Sequence, residues 1–166
     1  FLRDLIFDHY EIQREKWEAA EHLDCDVSCP DCLRNYANRM SHKYLDWRLA
    51  LDMAELALGI PLDESRWLSL SDTSVSHFLG LCTLYQVDGV KQYNFSGLDC
   101  LANGTRAIIL SHPLWHYQEG LLKDIQELAM HDLKEKFPAI SYEFVDLRAF
   151  IHAPQKYIRT FGEDDL

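Results

Sequence analysis

The sequence has no apolar run near the roughly 20 residues that a membrane-spanning helix requires; the longest candidate, RAIILSHPLW, is interrupted by Ser111, His112 and Pro113. It also lacks the basic, apolar and small-residue succession of a secretory signal. FLRDLIFDHYEIQREKW is amphipathic from the outset, and Phe1 in place of methionine reads as a piece of a longer polypeptide. Its seven glycines never gather into a loop that could cradle a phosphate, and there is no G-x-x-x-x-G-K-[ST] stretch, so ATP hydrolysis is not expected of this chain by itself. Positive charge is short as well. A net charge of -11, shared between both halves, opposes autonomous binding to phosphate backbones, which needs a basic footprint. Repeats, low-complexity stretches and Gly/Ser linkers are missing, leaving 59–71 as the one candidate boundary.

With 166 residues, 48% of them hydrophobic, the chain can bury at least one substantial core. Cysteine is the informative residue. Five is an odd number, and three fall at Cys25, Cys29 and Cys32, a C-x3-C-x2-C array. That pattern fits metal thiolates in a reducing compartment better than a disulfide framework, and the expected location is the cytoplasm. Soft thiolates hold zinc at about 2.3 Å, and a C-x2-C pair turns two sulfurs toward one ion. The same triplet spacing occurs in radical SAM iron-sulfur enzymes, but such a run opens a barrel of repeated β/α units, and no barrel-sized chain follows here.

A tetrahedral site needs a fourth ligand. Cys82 and Cys100 fall in a strand-like region and read as small buried hydrophobes. His22 precedes Cys25 by three residues and can reach from the end of the first helix. His42 follows Cys32 by ten residues; along one straight helix that is about 15 Å, out of range unless the chain bends at 38–41. The residues alone leave His22 and His42 equal, with a water or Asp26 behind them.

The periodicities predict a helix over 3–22, a second from Pro30 to Arg39, and a third capped by Ser41 and stopped at Gly59-Ile60-Pro61. LDESRWLSLSDTSVSHFLGL is ambiguous. CTLYQVDGVKQYNFSGLD reads as two strands turning at Asp88-Gly89, RAIILSHP as a buried strand, 115–137 as a helix and ISYEFVDLRAFI as a strand. The expected fold is α+β: a helical zinc-binding module over 1–60, then a small α/β accessory layer over 61–166 (hairpin, strand, helix, strand), as two domains or one continuous one.

SCPDCLRNYANRMSHKYLDWRLALDMA, residues 28–54, resembles the MrfA-type zinc-binding module at the C-terminus of DEAD/DEAH-box helicases, whose pattern is roughly C…C-x2-C-L-x2-Y-x-N…H-x2-L-D-R. Cys29, Cys32, Leu33, Tyr36, Asn38, His42, Leu45 and Asp46 fit it, and Trp47 stands where arginine is commoner. Many members use four cysteines. The resemblance implies a structural zinc held by Cys25, Cys29, Cys32 and His42. It also implies an ATP-dependent helicase as parent, in DNA repair or phage defence, with preceding motor domains or a partner subunit to dock on. Nucleic acid would be engaged through that assembly.

Other features have two readings. Arg34, Arg39, Lys43 and Arg48 are candidate phosphate contacts or a salt-bridged helix face. Trp17, Trp47, Trp67 and Trp115 are candidate base-stacking residues or core. The alternative function is a metal-dependent nuclease or other hydrolase in the α/β half, with His112, His116, Glu119, Asp88, Asp99, Glu143 and Asp146 available. No E-x-K or D-x-K follows a strand acid to complete a nuclease site, and Lys91 is the one lysine well placed on a strand.

Overall fold

The computed structural model describes residues 2–22 and 25–162, with side chains from residue 8 onward. It is mixed α+β, with helices preceding a four-stranded sheet. The chain divides into two compact units, Phe1–Asp63 and Glu64–Leu166.

The first unit is built on two helices, α1 (Leu2–Trp17) and α2 (Trp47–Leu58). Tyr10 and Trp17 of α1 meet Trp47, Leu51 and Leu58 of α2 in one buried cluster, with Cys25, Cys32 and Leu33 packed against it. Leu5 and Ile6, apolar residues of the amphipathic opening, lie outside the described side chains. The helix predicted to reach His22 ends at Trp17 and is followed by a 3₁₀ turn, Ala20–His22. Asp46, rather than Ser41, caps α2: its Oδ1 accepts from the backbone N–H of Arg48 at 3.0 Å. Gly59 stops the helix in the left-handed conformation, φ 71°, which costs glycine no Cβ clash. Within the core, the buried Glu55 carboxylate accepts from the Tyr10 hydroxyl at 2.7 Å and from the Asp63 backbone at 3.2 Å.

In the second unit the ambiguous stretch is helical, as α3 (Ser65–Leu68) and α4 (Ser71–Leu84). The hairpin follows as β1 (Lys91–Phe95) and β2 (Leu98–Ala102), turning at Ser96-Gly97 and not at Asp88-Gly89. Both turn residues take positive φ, 50° and 95°, the conformation that joins two antiparallel strands across a two-residue loop. Asp88-Gly89 lies between α4 and β1. Next come β3 (Arg106–Ser111), α5 (Asp124–Lys136), β4 (Ser141–Asp146), α6 (Leu147–His152) and α7 (Ile158–Phe161). The strand order is β1-β2-β3-β4, with the last pair parallel. Parallel neighbours need a crossover connection, and α5 supplies it.

Strand alternation sorts the sheet's two faces. Leu98, Cys100, Ala102, Ala107 and Ile109 pack on one side with Ala129 and Leu133 of α5. On the other parity, Leu101, Ile108 and Leu110 are fully buried, and α4 contacts β2 while α6 and α7 contact β3. Phe78 of α4 meets Phe150 at a tilt and Phe161 edge-on there. Cys82 and Cys100 are buried hydrophobes, as expected; burial pushes both thiols up, Cys100 to about 12.

Candidate metal centre

The segment after α1 is tied down by backbone bonds. The Cys25 N–H donates to the His22 carbonyl at 2.9 Å, and the N–H groups of Cys32 and Arg34 both donate to the Cys29 carbonyl, at 3.2 and 2.9 Å. The Cys29 N–H donates to Cys32 Sγ at 3.1 Å. These turns fold the chain back on itself, so one ligand atom from each of His22, Cys25, Cys29 and Cys32 lies within 4.8 Å of the others.

That spacing suits a metal ion. With Zn–S of about 2.3 Å and Zn–N of about 2.0–2.1 Å, the edges of a tetrahedron are about 3.8 Å between sulfurs and about 3.5 Å from sulfur to nitrogen. Cys29 Sγ lies 3.5 Å from His22 Nε2. His22 Nδ1 is 2.9 Å from the Trp17 carbonyl, and since a carbonyl only accepts, Nδ1 carries the proton. The Nε2 lone pair is thereby left facing the sulfurs, the arrangement by which metal-bound histidines are usually oriented. His22 is buried, and its ring meets the Trp47 indole edge-on with centroids 5.4 Å apart.

The thiols are not equivalent. Burial, reinforced by the neighbouring thiols of Cys29 and Cys32, pushes Cys25 up to about 12. Burial acts in the same direction on Cys29, but the Asp31 backbone and the His22 imidazole outweigh it and bring that thiol down to about 7. Binding a cation displaces the Cys25 proton, so affinity falls as the pH falls.

Trp47 and Arg48 hold the loop from beneath. The Trp47 indole N–H donates to the Cys25 carbonyl at 2.9 Å, and its backbone N–H donates to the Val27 carbonyl at 2.9 Å. The Arg48 guanidinium donates to the Asp26 carbonyl and lies 4.4 Å over the Trp47 ring.

The structure brings His22 to the three cysteines, and His42 is elsewhere. The second predicted helix is replaced by a turn near Pro30 and a 3₁₀ helix, Tyr36–Tyr44. Asn35 and Asn38 cap one another, each side chain accepting from the other's backbone at 3.0 and 2.9 Å, and the Asn38 amide donates to the Leu33 carbonyl at 2.7 Å. His42 Nε2 faces the Asn35 carbonyl at 3.0 Å and Asn38 Oδ1 at 2.9 Å. Two oxygen acceptors make that nitrogen a hydrogen donor, with no lone pair left for a metal. The histidine of the motif thus braces the Asn35–Asn38 turn. His22 was visible in the sequence as H-x2-C-x3-C-x2-C, the histidine nearest in chain to the cysteines.

The four cations of the sequence reading are divided. Arg48 is buried in the loop contacts just described, and Arg34 donates to Ser28 Oγ at 3.0 Å. Arg39 and Lys43 are exposed. All four tryptophans are buried. In the second unit, among the described residues, Asp88, Asp99, Glu143 and Asp146 form no metal-holding group. Asp99 accepts from Gln92 and Asn94, and Asp146 caps α6 through the Ala149 N–H. His112 is fully buried between the rings of Trp67 and Trp115. No helix among the described residues is long and apolar enough to cross a membrane. No protein-family profile, curated protein or solved structure matches this chain.

Proposed function

We propose that this chain is a structural zinc-binding accessory region of a helicase-like protein, with Cys25, Cys29, Cys32 and His22 as the ligands. The observation that carries the metal reading is the His22 ring. Its Nδ1 is committed to the Trp17 carbonyl while its Nε2 lies 3.5 Å from Cys29 Sγ, inside a group of three thiols. Three soft sulfurs and an imidazole in a compact group select zinc over hard, oxygen-seeking cations. Four protein ligands leave no open position for a reacting water, so the ion's work is to hold together the chain that links α1 to α2.

The helicase context rests on the likeness of residues 28–54 to the MrfA-type module. Three motif residues have local physical reasons to be what they are: Asn38 and His42 brace the turn beside the cysteines, and Asp46 caps α2. In that context the module docks on motor domains or a partner subunit and helps guide nucleic acid.

The test is zinc retention by elemental analysis after dialysis against a mild chelator. Wild-type protein is expected to keep about one zinc per chain. His22→Ala is expected to weaken binding at least tenfold, whereas His42→Ala keeps the metal and loses only turn stability, about 1 kcal/mol. The reverse ranking, or a wild-type chain without zinc, contradicts the assignment.

A further inference from the structure

Tyr36, Met40 and Tyr44 are the large hydrophobic side chains of the 3₁₀ helix, yet they are 83%, 82% and 64% exposed. A small soluble module gains nothing from displaying them there unless something stacks on them. Each tyrosine has a cation over its ring: Arg39 lies 4.6 Å from the centre of Tyr36, and Lys43 lies 4.7 Å from that of Tyr44. The charge around them is also unusual for this protein. Between Asp31 and Asp46 there is no acidic residue, while Arg34, Arg39 and Lys43 all fall in that interval, in a chain of net charge -11.

We propose that the exposed Tyr36–Tyr44 helix is a binding strip for single-stranded nucleic acid, with Tyr36 and Tyr44 stacking on bases and Arg39 and Lys43 meeting phosphates. The inference deepens, and rests on, the nucleic-acid role proposed above, and it revises which residues carry that role. Flat aromatic faces with cations beside them suit unstacked bases on an anionic backbone, and such stacking tolerates any sequence. A duplex hides its base faces and offers these tyrosines nothing to stack on. Arg48, covered by the loop it supports, is not part of the strip. The capped Asn35–Asn38 turn and His42 brace the helix at its N-terminal end.

The experiment is fluorescence anisotropy of a labelled 20-nucleotide oligo-dT with the whole 166-residue chain at low salt, against a duplex of equal length and with polyglutamate as competitor. The single strand is expected to bind and the duplex to bind at least tenfold more weakly. Tyr36→Ala is expected to weaken single-strand binding roughly tenfold while Tyr36→Phe keeps it, because the ring and not the hydroxyl does the stacking. Replacing Arg39 and Lys43 with glutamine is expected to reduce the salt slope by about 1.4, two phosphate contacts' worth. Tyr36 is too exposed for its truncation to unfold the protein, and zinc content in the same samples monitors the fold. Equal binding of duplex, displacement by polyglutamate as effective as by unlabelled oligo-dT, or an unchanged Tyr36→Ala overturns the proposal. A wild-type chain that holds zinc but binds no oligonucleotide overturns it and leaves the metal reading in place; one that binds through Tyr36 without zinc supports it and overturns the metal reading.

Discussion

Replacing Cys29 and Cys32 together with serine is expected to abolish metal binding and, with it, the fold of the first unit. Between α1 and α2 the described chain has only short helical turns of its own, and the bonds from Trp47 and Arg48 hold one stretch of it. Its cysteines are only partly buried, and the stretch that carries them is bonded to itself through turns. Structural zinc sites supply on the order of 10–16 kcal/mol of binding free energy that doubles as folding free energy, more than the whole stability of many small domains. The second unit has a sheet covered on both faces and no share in this metal group, so it should persist. Limited proteolysis of the double variant is therefore expected to degrade 1–63 and spare a fragment that begins close to Glu64. Serine variants that stay as resistant as the wild type would show that the cysteines do not hold the unit together.

The second large effect is expected from Trp47→Ala, a residue 2% exposed. Truncating a buried tryptophan typically costs about 3–5 kcal/mol through lost burial and the cavity left behind. Here the indole also caps the Cys25 carbonyl, meets the His22 ring and carries the Arg48 guanidinium. Its loss therefore loosens Cys25 and His22 as well as the core. Urea unfolding of the zinc-loaded protein is expected to show the first unit's midpoint fall in line with that cost, while Trp47→Phe recovers part of it. A change below about 1 kcal/mol would mean that Trp47 does not support the loop.

Much of the fold was legible because its signals were local. The Gly59 stop, the apolar run of β3 and the spacing of Ala129 and Leu133 on α5 each announce an element within a few residues. The errors came where one signal imitated another. Asp88-Gly89 is a hairpin dipeptide, but the residues before it, Thr83 and Leu84, complete a helix whose buried side is Ser71, Val75, Phe78 and Cys82, and Leu79, Leu81 and Leu84 on its other faces keep that side from showing as a single stripe. The true turn, Ser96-Gly97, carries the same glycine signal eight residues later. Residues 115–123 carried helical spacing through Leu121 and Leu122, yet α5 begins only at Asp124. Gln126, fully buried, explains the join: its side chain accepts from the Lys123 N–H and donates to the His116 carbonyl, tying the loop to the helix start.

The candidate metal group shows the same division. Three of its residues were plain from cysteine spacing. The fourth turned on whether a histidine in a motif is a ligand or a brace, and that depends on which atoms face its ring nitrogens. Oxygen acceptors face His42 Nε2; sulfurs face His22 Nε2.

X-ray absorption at the zinc edge of the purified chain tests this assignment most directly. Three sulfur scatterers at about 2.3 Å and one imidazole nitrogen at about 2.0–2.1 Å are expected, with the nitrogen shell lost in His22→Ala and kept in His42→Ala. A shell of oxygen ligands, four sulfurs, or a nitrogen shell that vanishes with His42 instead would contradict it.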